Sequence, residues 1–449
     1  MIHASAAYNS GGLFTSDAPM SALRYLAGFG NEFESEALPG ALPQGQFSPQ
    51  RQPLGLYAEK FSYTAFTAPR GENRRTWLYR IRPSVLRGRA EPLPQGELRT
   101  APAPEAPVTP DPLRWDPLPI PDRPHDFVDG LVTIATNGDC AAQTGLAVHL
   151  FTANTGMGRR FLQVNDGELL FVPQSGAFRL ATECGVLEVA PGEIAYVPRG
   201  MKFQLEPLDG AVRGYLAENY GAPLRLPERG PVGSDGYANN RDFLAPVAAF
   251  VDDDLPAELV WKFAGRLYSV PLAHHPLDVV AWVGNAVPWK YSLARFNAMN
   301  TVTFDHPDPS IFTVLTSPSS VPGVANLDFV IFPPRWSVAE HSFRPPWFHR
   351  NTMSELMGLV QGQYDARKAG FEPGGVSLHN AFVPHGPEAG VFEAASNADL
   401  KPVKHRDTLA FMFESRYLYQ PTAWALASPT LQADYIDCWR GLERRFDGG

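Results

Sequence analysis

The stretch FHRNTMSELMGLVQGQYD, residues 348–365, carries a histidine and a glutamate six positions apart in an otherwise apolar run. On an α-helix, six positions correspond to a rotation of about 600°, so His349 and Glu355 would lie on nearly opposite sides. On a strand, side chains alternate between the two faces, and residues six apart share a face. No helical polar stripe follows Glu355, and turn-forming residues bound the segment. The spacing therefore predicts a strand that presents both side chains on one face.

Further histidines suggest a third ligand to go with this pair. Six of the eleven histidines fall between residues 306 and 405, namely His306, His341, His349, His379, His385 and His405. Two of these lie in SLHNAFVPHGPE, a loop bounded by glycine and proline that suits ligands held in fixed directions. His349, Glu355 and one later histidine would form a two-histidine, one-carboxylate triad. Such a triad leaves metal positions open and is typical of non-haem Fe(II) oxygenases.

Other interpretations of the same residues stay open. The same ligand types suit a zinc site with an activated water, so the chemistry favours an iron oxygenase without excluding a zinc hydrolase. A buried hydrogen-bonded His–Glu pair is also compatible with the spacing, and the Asp305-His306-Pro307 segment has the composition of a polar turn. We expect structural roles for the remaining histidines, which are His3, His125, His149, His274, His275, His341 and His405.

The elements that must position these residues are predicted to be mainly β-strands. The 44 prolines, 39 glycines and 12% aromatic residues favour short strands and many turns. Residues 167–207 form the clearest β region, with short alternating runs between Gly, Pro and acidic turn signals, as in β-sandwiches and cupin barrels. This stretch lacks histidine, so the N-terminal barrel is interpreted as structural. A second β-rich region begins near residue 295.

The predicted fold is therefore mainly β, with two β-sandwich or cupin-like jelly-roll domains and a C-terminal helix. At 449 residues the chain exceeds the usual size of a single core. We expect a loosely ordered arm at 1–20, a structural domain at 21–294 and a metal-binding catalytic domain at 295–449. Residues 92–124 contain eleven prolines and are expected to be an extended surface connection. The segment SPTLQADYIDCWRGLERRF, residues 428–446, keeps helical apolar spacing and predicts a final amphipathic helix.

The charge and the lengths of the apolar runs argue against nucleic acid and membranes as partners. A net charge of −9 without blocks of basic residues argues against nucleic acid as a partner. No apolar run reaches the length of a membrane span, and the N-terminus lacks the apolar core of a signal peptide. Three widely spaced cysteines are typical of reduced thiols. These features predict a cytoplasmic chain without membrane or nucleic-acid partners.

Several long motifs resemble the homogentisate 1,2-dioxygenase family. They are YLAGFGNEFESEALPGALPQGQFSPQ, LYAEKFSYTAFTAPR, FDHPDPSIFTVLT, FVIFPPRW, FRPPWFHRNTMSELMGL and LHNAFVPHGP, and they occur in order across residues of about 21 to 445. The resemblance implies an Fe(II) enzyme that opens the ring of homogentisate with O2 to give maleylacetoacetate, a step in phenylalanine and tyrosine breakdown. It also implies a homo-hexamer built as a dimer of trimers.

The resemblance further implies a role for each residue of the site. His349, Glu355 and His385 would be the iron ligands, and His306 would be the acid–base residue. Tyr364, His379 and His385 would contact or border the substrate. Strand alternation alone would place Tyr364 on the face opposite to Glu355, unless Gly362 introduces a bulge or the strand has ended. Two rivals are weighed beside this function, a cupin-type metalloenzyme with another substrate and a non-catalytic cupin-like binding protein.

Overall fold

The computed structural model describes residues 23–299, 302–366 and 370–448. The arm expected at residues 1–20 lies outside these ranges. The described chain is mainly β, which confirms the predicted fold class. None of its helices is long and apolar enough to cross a membrane.

The strands and helices are short and follow one another closely along the chain. The first fifteen strands are β1 Tyr25–Ala27, β2 Phe33–Glu36, β3 Tyr57–Ser62, β4 Arg75–Arg80, β5 Glu91–Leu93, β6 Leu113–Trp115, β7 Leu131–Asp139, β8 Thr144–Ala153, β9 Arg160–Val164, β10 Glu168–Ser175, β11 Phe178–Thr182, β12 Gly185–Val189, β13 Glu193–Val197, β14 Lys202–Pro207 and β15 Val212–Asn219. The later strands are β16 Phe243–Pro246, β17 Ala257–Phe263, β18 Arg266–Leu272, β19 Val279–Gly284, β20 Trp289–Ser292, β21 Thr313–Pro318, β22 Ala325–Phe332, β23 Arg335–Ser337, β24 Ser354–Gly362, β25 Val376–His379, β26 Val403–His405, β27 Thr408–Ser415 and β28 Gln420–Pro421. The α-helices are α1 Ala389–Ser396 and α2 Ala423–Ala427.

Three sheets form the body of the molecule. A nine-stranded sheet runs β1-β16-β20-β13-β10-β15-β8-β7-β28, a seven-stranded sheet runs β12-β11-β14-β9-β17-β18-β5, and a six-stranded sheet runs β21-β22-β27-β24-β25-β6. Smaller sheets follow the orders β2-β19-β4-β3 and β23-β26. Within the described residues β9 and β17 pair in parallel, and the other strand pairings are antiparallel.

The nine-stranded sheet lies between the other two large sheets, with both faces covered. On one face the rings of Phe151 and Phe171 meet those of Phe178 and Phe203 of the seven-stranded sheet. On the other face Tyr215 meets Phe411 of the six-stranded sheet, with ring centroids 4.8 Å apart. Because both faces are buried, β8 is buried from its second residue to its last. This explains its nearly continuous apolar run in the sequence.

Two short strands cross between the N-terminal and C-terminal halves of the chain. Strand β6 from the proline-rich segment pairs with β25 in the six-stranded sheet, and β28 pairs with β7 in the nine-stranded sheet. The expectation that residues 92–124 form only a surface connection is therefore wrong, since Trp115 at the end of β6 is 1% exposed. The domain boundary at 294/295 stays a prediction.

The C-terminal helix predicted at 428–446 does not form as such. Helix α2 ends at Ala427, and the segment that follows contains a 3-10 turn at Tyr435–Trp439. Tertiary pairing competes with the helix, because the carbonyl of Thr430 accepts from the N–H of Asp116 and the N–H of Gln432 donates to the carbonyl of Arg114. These bonds lay the segment along β6 in an extended conformation. The segment has helical apolar spacing, but its backbone groups form hydrogen bonds with β6 and not within a helix.

A buried group of charges joins the nine-stranded and seven-stranded sheets. The Nζ atom of Lys262 on β17 lies 2.7 Å from Oε1 of Glu218 on β15 and 2.8 Å from Oδ2 of Asp166. The second oxygen of Glu218 lies 3.1 Å from Nε2 of His149. Burial alone would raise the pKa of the Glu218 carboxyl, but the Lys262 charge and the His149 contact lower this pKa to about 2. In the unfolded chain a glutamate has a pKa of about 4.3. The lowered pKa of Glu218 therefore adds to the free energy of unfolding in full above that pH, and this contribution is lost as the pH falls toward 2.

Lys262→Met should destabilise the fold, because it leaves Glu218 and Asp166 buried without their cation. Removing one partner of a buried ion pair costs about 3–5 kcal/mol in the free energy of unfolding. Urea unfolding measures this change. Lys401→Met is the matched control, since Lys401 pairs with Asp399 at the exposed surface and should leave unfolding nearly unchanged. Equal destabilisation by the two substitutions would contradict the proposed coupling of the sheets.

Candidate metal centre

His349, Glu355 and His385 converge at one end of the six-stranded sheet. Their ligand atoms all lie within 4.8 Å of one another. The Nε2 atom of His385 is 3.0 Å from Oε2 of Glu355, and that of His349 is 3.7 Å from Oε1. The His349 side chain is 30% exposed, whereas those of Glu355 and His385 are 10% and 7% exposed. The group therefore opens to solvent on the His349 side.

Backbone carbonyls fix the tautomer of both imidazoles. The Nδ1 atom of His349 lies 2.8 Å from the carbonyl oxygen of Trp347, and that of His385 lies 2.9 Å from the carbonyl of Val383. A carbonyl only accepts, so each Nδ1 carries the proton. Each Nε2 can therefore donate to Glu355 only when its ring carries a second proton, whereas in the neutral ring Nε2 holds the lone pair that a metal ion would take. Such a contact on the far nitrogen is the usual partner of a metal-binding histidine.

The backbone brings the two histidines together in a way that the sequence analysis did not foresee. Strand β24 begins at Ser354, so His349 does not belong to one continuous strand with Glu355 and that prediction is wrong. Instead His349 and His385 exchange two backbone hydrogen bonds, of 2.9 and 3.1 Å, as an isolated antiparallel bridge. The next residue, Gly386, lies so close to Phe348 that a Cβ would come within 2.6 Å of its ring. The glycine thus permits the close approach of the two loops.

The donor set and its spacing fit a metal ion. Two ligand atoms about 2.1 Å from one ion are about 3.0 Å apart at a right angle and about 3.4 Å apart in a tetrahedron. The 3.0 Å from Oε2 of Glu355 to Nε2 of His385 equals the right-angle value, and the 3.7 Å from Oε1 to Nε2 of His349 is slightly longer than the tetrahedral one. Burial alone would raise the pKa of Glu355, but hydrogen bonds with His349 and His385 bring this pKa well below its usual range. The carboxylate is therefore ionised, as a metal ligand must be.

His306 lines a neighbouring cleft of about 370 Å³, part of which is open to solvent. Trp347 connects it to the metal-site residues, since its ring lies edge-on to the His306 ring at 5.7 Å and its carbonyl holds His349. The Nδ1 atom of His306 lies 2.8 Å from the carbonyl of Pro307, which leaves Nε2 as a proton acceptor. Burial lowers the pKa of His306 and keeps the ring neutral, although the Pro307 carbonyl opposes this shift.

Comparison with known proteins places the whole chain in one family. Family models described as the N-terminal and C-terminal parts of homogentisate 1,2-dioxygenase match residues 24–293 and 294–446. A homogentisate 1,2-dioxygenase from Rhodopseudomonas palustris (strain BisB18) is 58% identical over 424 residues, which cover 94% of this chain and 95% of that protein. Another from Pseudomonas fluorescens (strain Pf0-1) is 58% identical over 427 residues, which cover 95% and 98%. The chain belongs to the homogentisate 1,2-dioxygenase family.

Membership of the homogentisate 1,2-dioxygenase family makes this chain an enzyme that depends on a metal. The structure supplies a possible His/Glu/His site for it. No finding favours the rival substrates or the non-catalytic binding protein. Among solved structures, a cupin 2 conserved barrel domain protein from Leptotrichia buccalis aligns with 66% of this chain and 91% of its own, at 9% identity and a TM-score of 0.28.

Tyr364 follows an irregular end of β24 and lies on the same face of the sheet as Glu355. The pairing of β24 with β27 shifts register between Leu359 and Gln361, and Gly362 has a φ of 72°. A Cβ on Gly362 would lie 1.6 Å from the carbonyl oxygen of Asp407, so this position requires glycine. Beyond it, Tyr364 is buried edge-on against Phe332, with ring centroids 5.3 Å apart. Phe332 shares the face of Glu355 by strand alternation.

His379 lies behind the candidate ligand His385. It stands directly opposite Glu355 in the pairing of β24 with β25. Its ring stacks on that of His385, with centroids 4.1 Å apart and planes at 13°. Its Nε2 atom lies 2.8 Å from the hydroxyl of Tyr435. The structure therefore brings His379 into the site, where it contacts a candidate ligand.

Sequence reasoning missed two polar residues beside Glu355. Glu414 stands directly opposite Glu355 on β27, and Asp328 stands opposite Glu414 on β22. Burial, the Glu355 charge and Asp328 raise the pKa of Glu414 to about 8. Both acids interrupt apolar strands, in TLAFMFES and NLDFVIF, and a lone acid within such a run was the available signal. Adjacent carboxylates whose pKa values are shifted in opposite directions are a feature that active sites often show.

His306→Ala should lower kcat by about 100-fold or more, the usual contribution of a general base, while the metal content stays unchanged. Because the pKa of His306 is lowered, the acidic limb of kcat/KM in the unaltered enzyme should lie below about pH 6.5. Oxygen-uptake kinetics across pH, with metal analysis, test both points. His405→Ala is the control, since His405 lines the same cleft. Loss of metal in His306→Ala, or an equal loss of kcat in both variants, would contradict the base role.

Proposed function

We propose that this chain opens the ring of homogentisate, 2,5-dihydroxyphenylacetate, with O2 to give maleylacetoacetate, using Fe(II) held by His349, Glu355 and His385. The reaction is a step in the breakdown of phenylalanine and tyrosine. The observation that carries the proposal is the convergence of these three ligand groups in a chain whose relatives are homogentisate 1,2-dioxygenases.

Iron is favoured over zinc by the ligand set and by the family. Two imidazoles and one carboxylate leave several positions open, which suits an enzyme that handles an organic substrate and O2 at one metal. When bound, Fe(II) supplies the redox chemistry through which an aromatic ring reacts with O2. The side chains of the protein would orient the substrate, accept its phenolic proton and supply the negative charge of the Glu355 carboxylate.

His306 takes the proton of a phenolic hydroxyl at its Nε2 atom. Its Nδ1 proton is committed to the Pro307 carbonyl, and its lowered pKa keeps Nε2 free at neutral pH. A neutral imidazole near the metal ligands is the group best suited to this transfer. Removal of the proton makes the ring more electron-rich and so more reactive toward oxygen.

Tyr364 and His379 are the proposed substrate contacts, together with His385, which borders the substrate as well as binding the metal. Tyr364 stands at the irregular end of β24 on the metal-bearing face, and His379 packs on His385. Residues of this kind raise the rate by holding the ring in a productive orientation. Arg335 is less available for the substrate carboxylate, because it forms an ion pair with Asp365.

Oxygen uptake tests the proposed reaction directly. Anaerobically purified protein loaded with Fe(II) should consume O2 with homogentisate and not with gentisate, and His349→Ala should abolish both uptake and stoichiometric iron. The product should have the ultraviolet absorbance of maleylacetoacetate. Iron binding without uptake of O2 would reject homogentisate as the substrate, and uptake that survives in His349→Ala would reject the metal site.

We also propose that the chain acts in the cytoplasm as a homo-hexamer, a dimer of trimers. Family membership supports this assembly, and large apolar side chains exposed on the single chain, including Phe66, Phe382 and Phe446, are compatible with subunit contacts. Light scattering should give a mass six times that of one chain. A monomer mass would contradict the assembly without bearing on the chemistry.

A further inference from the structure

Asn351 links the candidate ligand Glu355 to a second carboxylate. It follows His349 by two positions and precedes Glu355 by four. Its Nδ2 atom donates to Oε1 of Glu355 at 2.8 Å and to Oε1 of Glu414 at 3.2 Å. An amide nitrogen has two hydrogens, so one group serves both carboxylates. The two acids stand directly opposite each other on β24 and β27, where unscreened like charges repel.

The orientation of the Asn351 amide is fixed by its other contacts. Its Oδ1 atom accepts from the backbone N–H of Met353 at 3.0 Å, and its own carbonyl accepts from the N–H of Phe382 at 2.7 Å. A flipped amide would point Oδ1 at the two carboxylates and Nδ2 at an N–H group. The hydrogen-bond network therefore assigns Nδ2 to the carboxylates. Asn351 is anchored at both its backbone and its side chain.

This contact distinguishes the two oxygens of Glu355. Oε1 receives the Asn351 hydrogen bond and lies 3.7 Å from Nε2 of His349, whereas Oε2 lies only 3.0 Å from Nε2 of His385 and has no contact with Asn351 within hydrogen-bond distance. We propose that Asn351 is a positioning residue that makes Glu355 a ligand through one oxygen. A glutamate that binds through both oxygens would fill one of the positions that a three-ligand site must leave open for substrate and O2.

The same amide also restrains Glu414. This carboxylate is the nearest acid that could add a fourth protein ligand, since it faces Glu355 across one strand pair. With its Oε1 tied to Asn351, Glu414 stays outside the group of three. Asn351 therefore limits the number of metal ligands twice: it occupies one oxygen of Glu355, and it holds Glu414 away from the metal position. This inference rests on the metal site of the proposed function.

Cobalt substitution tests this role without relying on turnover. Co(II) should bind the unaltered protein at one site per chain, and its visible absorption reports the number and type of ligands. In Asn351→Ala and Asn351→Asp, the Co(II) spectrum should change and the Kd should rise about 10- to 100-fold, as for other losses of a contact behind a ligand. Homogentisate should perturb the spectrum of the unaltered protein more than that of either variant.

Asn380→Ala is the matched structural control. Asn380 is a buried asparagine next to His379 whose side chain exchanges two hydrogen bonds with the backbone of Tyr419 and contacts neither carboxylate. Its loss should lower the thermal midpoint without changing the Co(II) spectrum. An unchanged spectrum and Kd in both Asn351 variants, or the same change in Asn380→Ala, would overturn the positioning role while leaving the metal site intact. Absence of a Co(II) site in the unaltered protein, or a Co(II) site that persists in His349→Ala, would overturn the metal site as well.

Discussion

Burial of an ionised carboxylate is the constraint around which this end of the molecule is arranged. Glu355 is largely removed from water, and a charge in such a place needs compensation by hydrogen bonds or opposite charge. Two imidazoles and the Asn351 amide provide it. Each of these partners is held in turn by main-chain groups, so the compensation is built into the backbone. A cation bound among them would satisfy the same need more fully.

The packing of the sheets gives this arrangement a rigid base. Along β24, Leu356 lies on the face that packs against the nine-stranded sheet, while Glu355 and Met357 lie on the opposite face. The Tyr215 hydroxyl lies 3.0 Å from the carbonyl oxygen of Leu359 and 2.9 Å from that of Gly375, so its one proton is shared between them and links the middle sheet to β24 and to the loop before β25. The ligand strand is thereby fixed from behind by a layer that carries none of the candidate ligands. Glu355, which lies on this strand, is thereby held more accurately than a ligand on a loop would be.

The sequence predicted chemistry better than it predicted geometry. The mainly β fold and the strand carrying Glu355 followed from alternation and turn residues, and the family motifs pointed to the residues that converge. Periodicity failed for His349 and for the segment after Ser428, because both are positioned by backbone bonds to distant segments. Local patterns do not encode such pairings. The bulge before Tyr364 was foreseen only as an alternative, since a register shift depends on the partner strand.

Strands β6 and β28 each pair with a strand from the other half of the chain, and this affects the order in which the sheets form during synthesis. Strand β6 is synthesised early, whereas its pairing partner β25 follows about 260 residues later in the chain. Until then β6 has no strand of the six-stranded sheet to pair with, and its edge stays open. Pairings so distant in sequence close slowly because long loops must be ordered first. The six-stranded sheet that carries Glu355 is therefore completed only after β25 and β27 have been synthesised, which delays assembly of the candidate metal site.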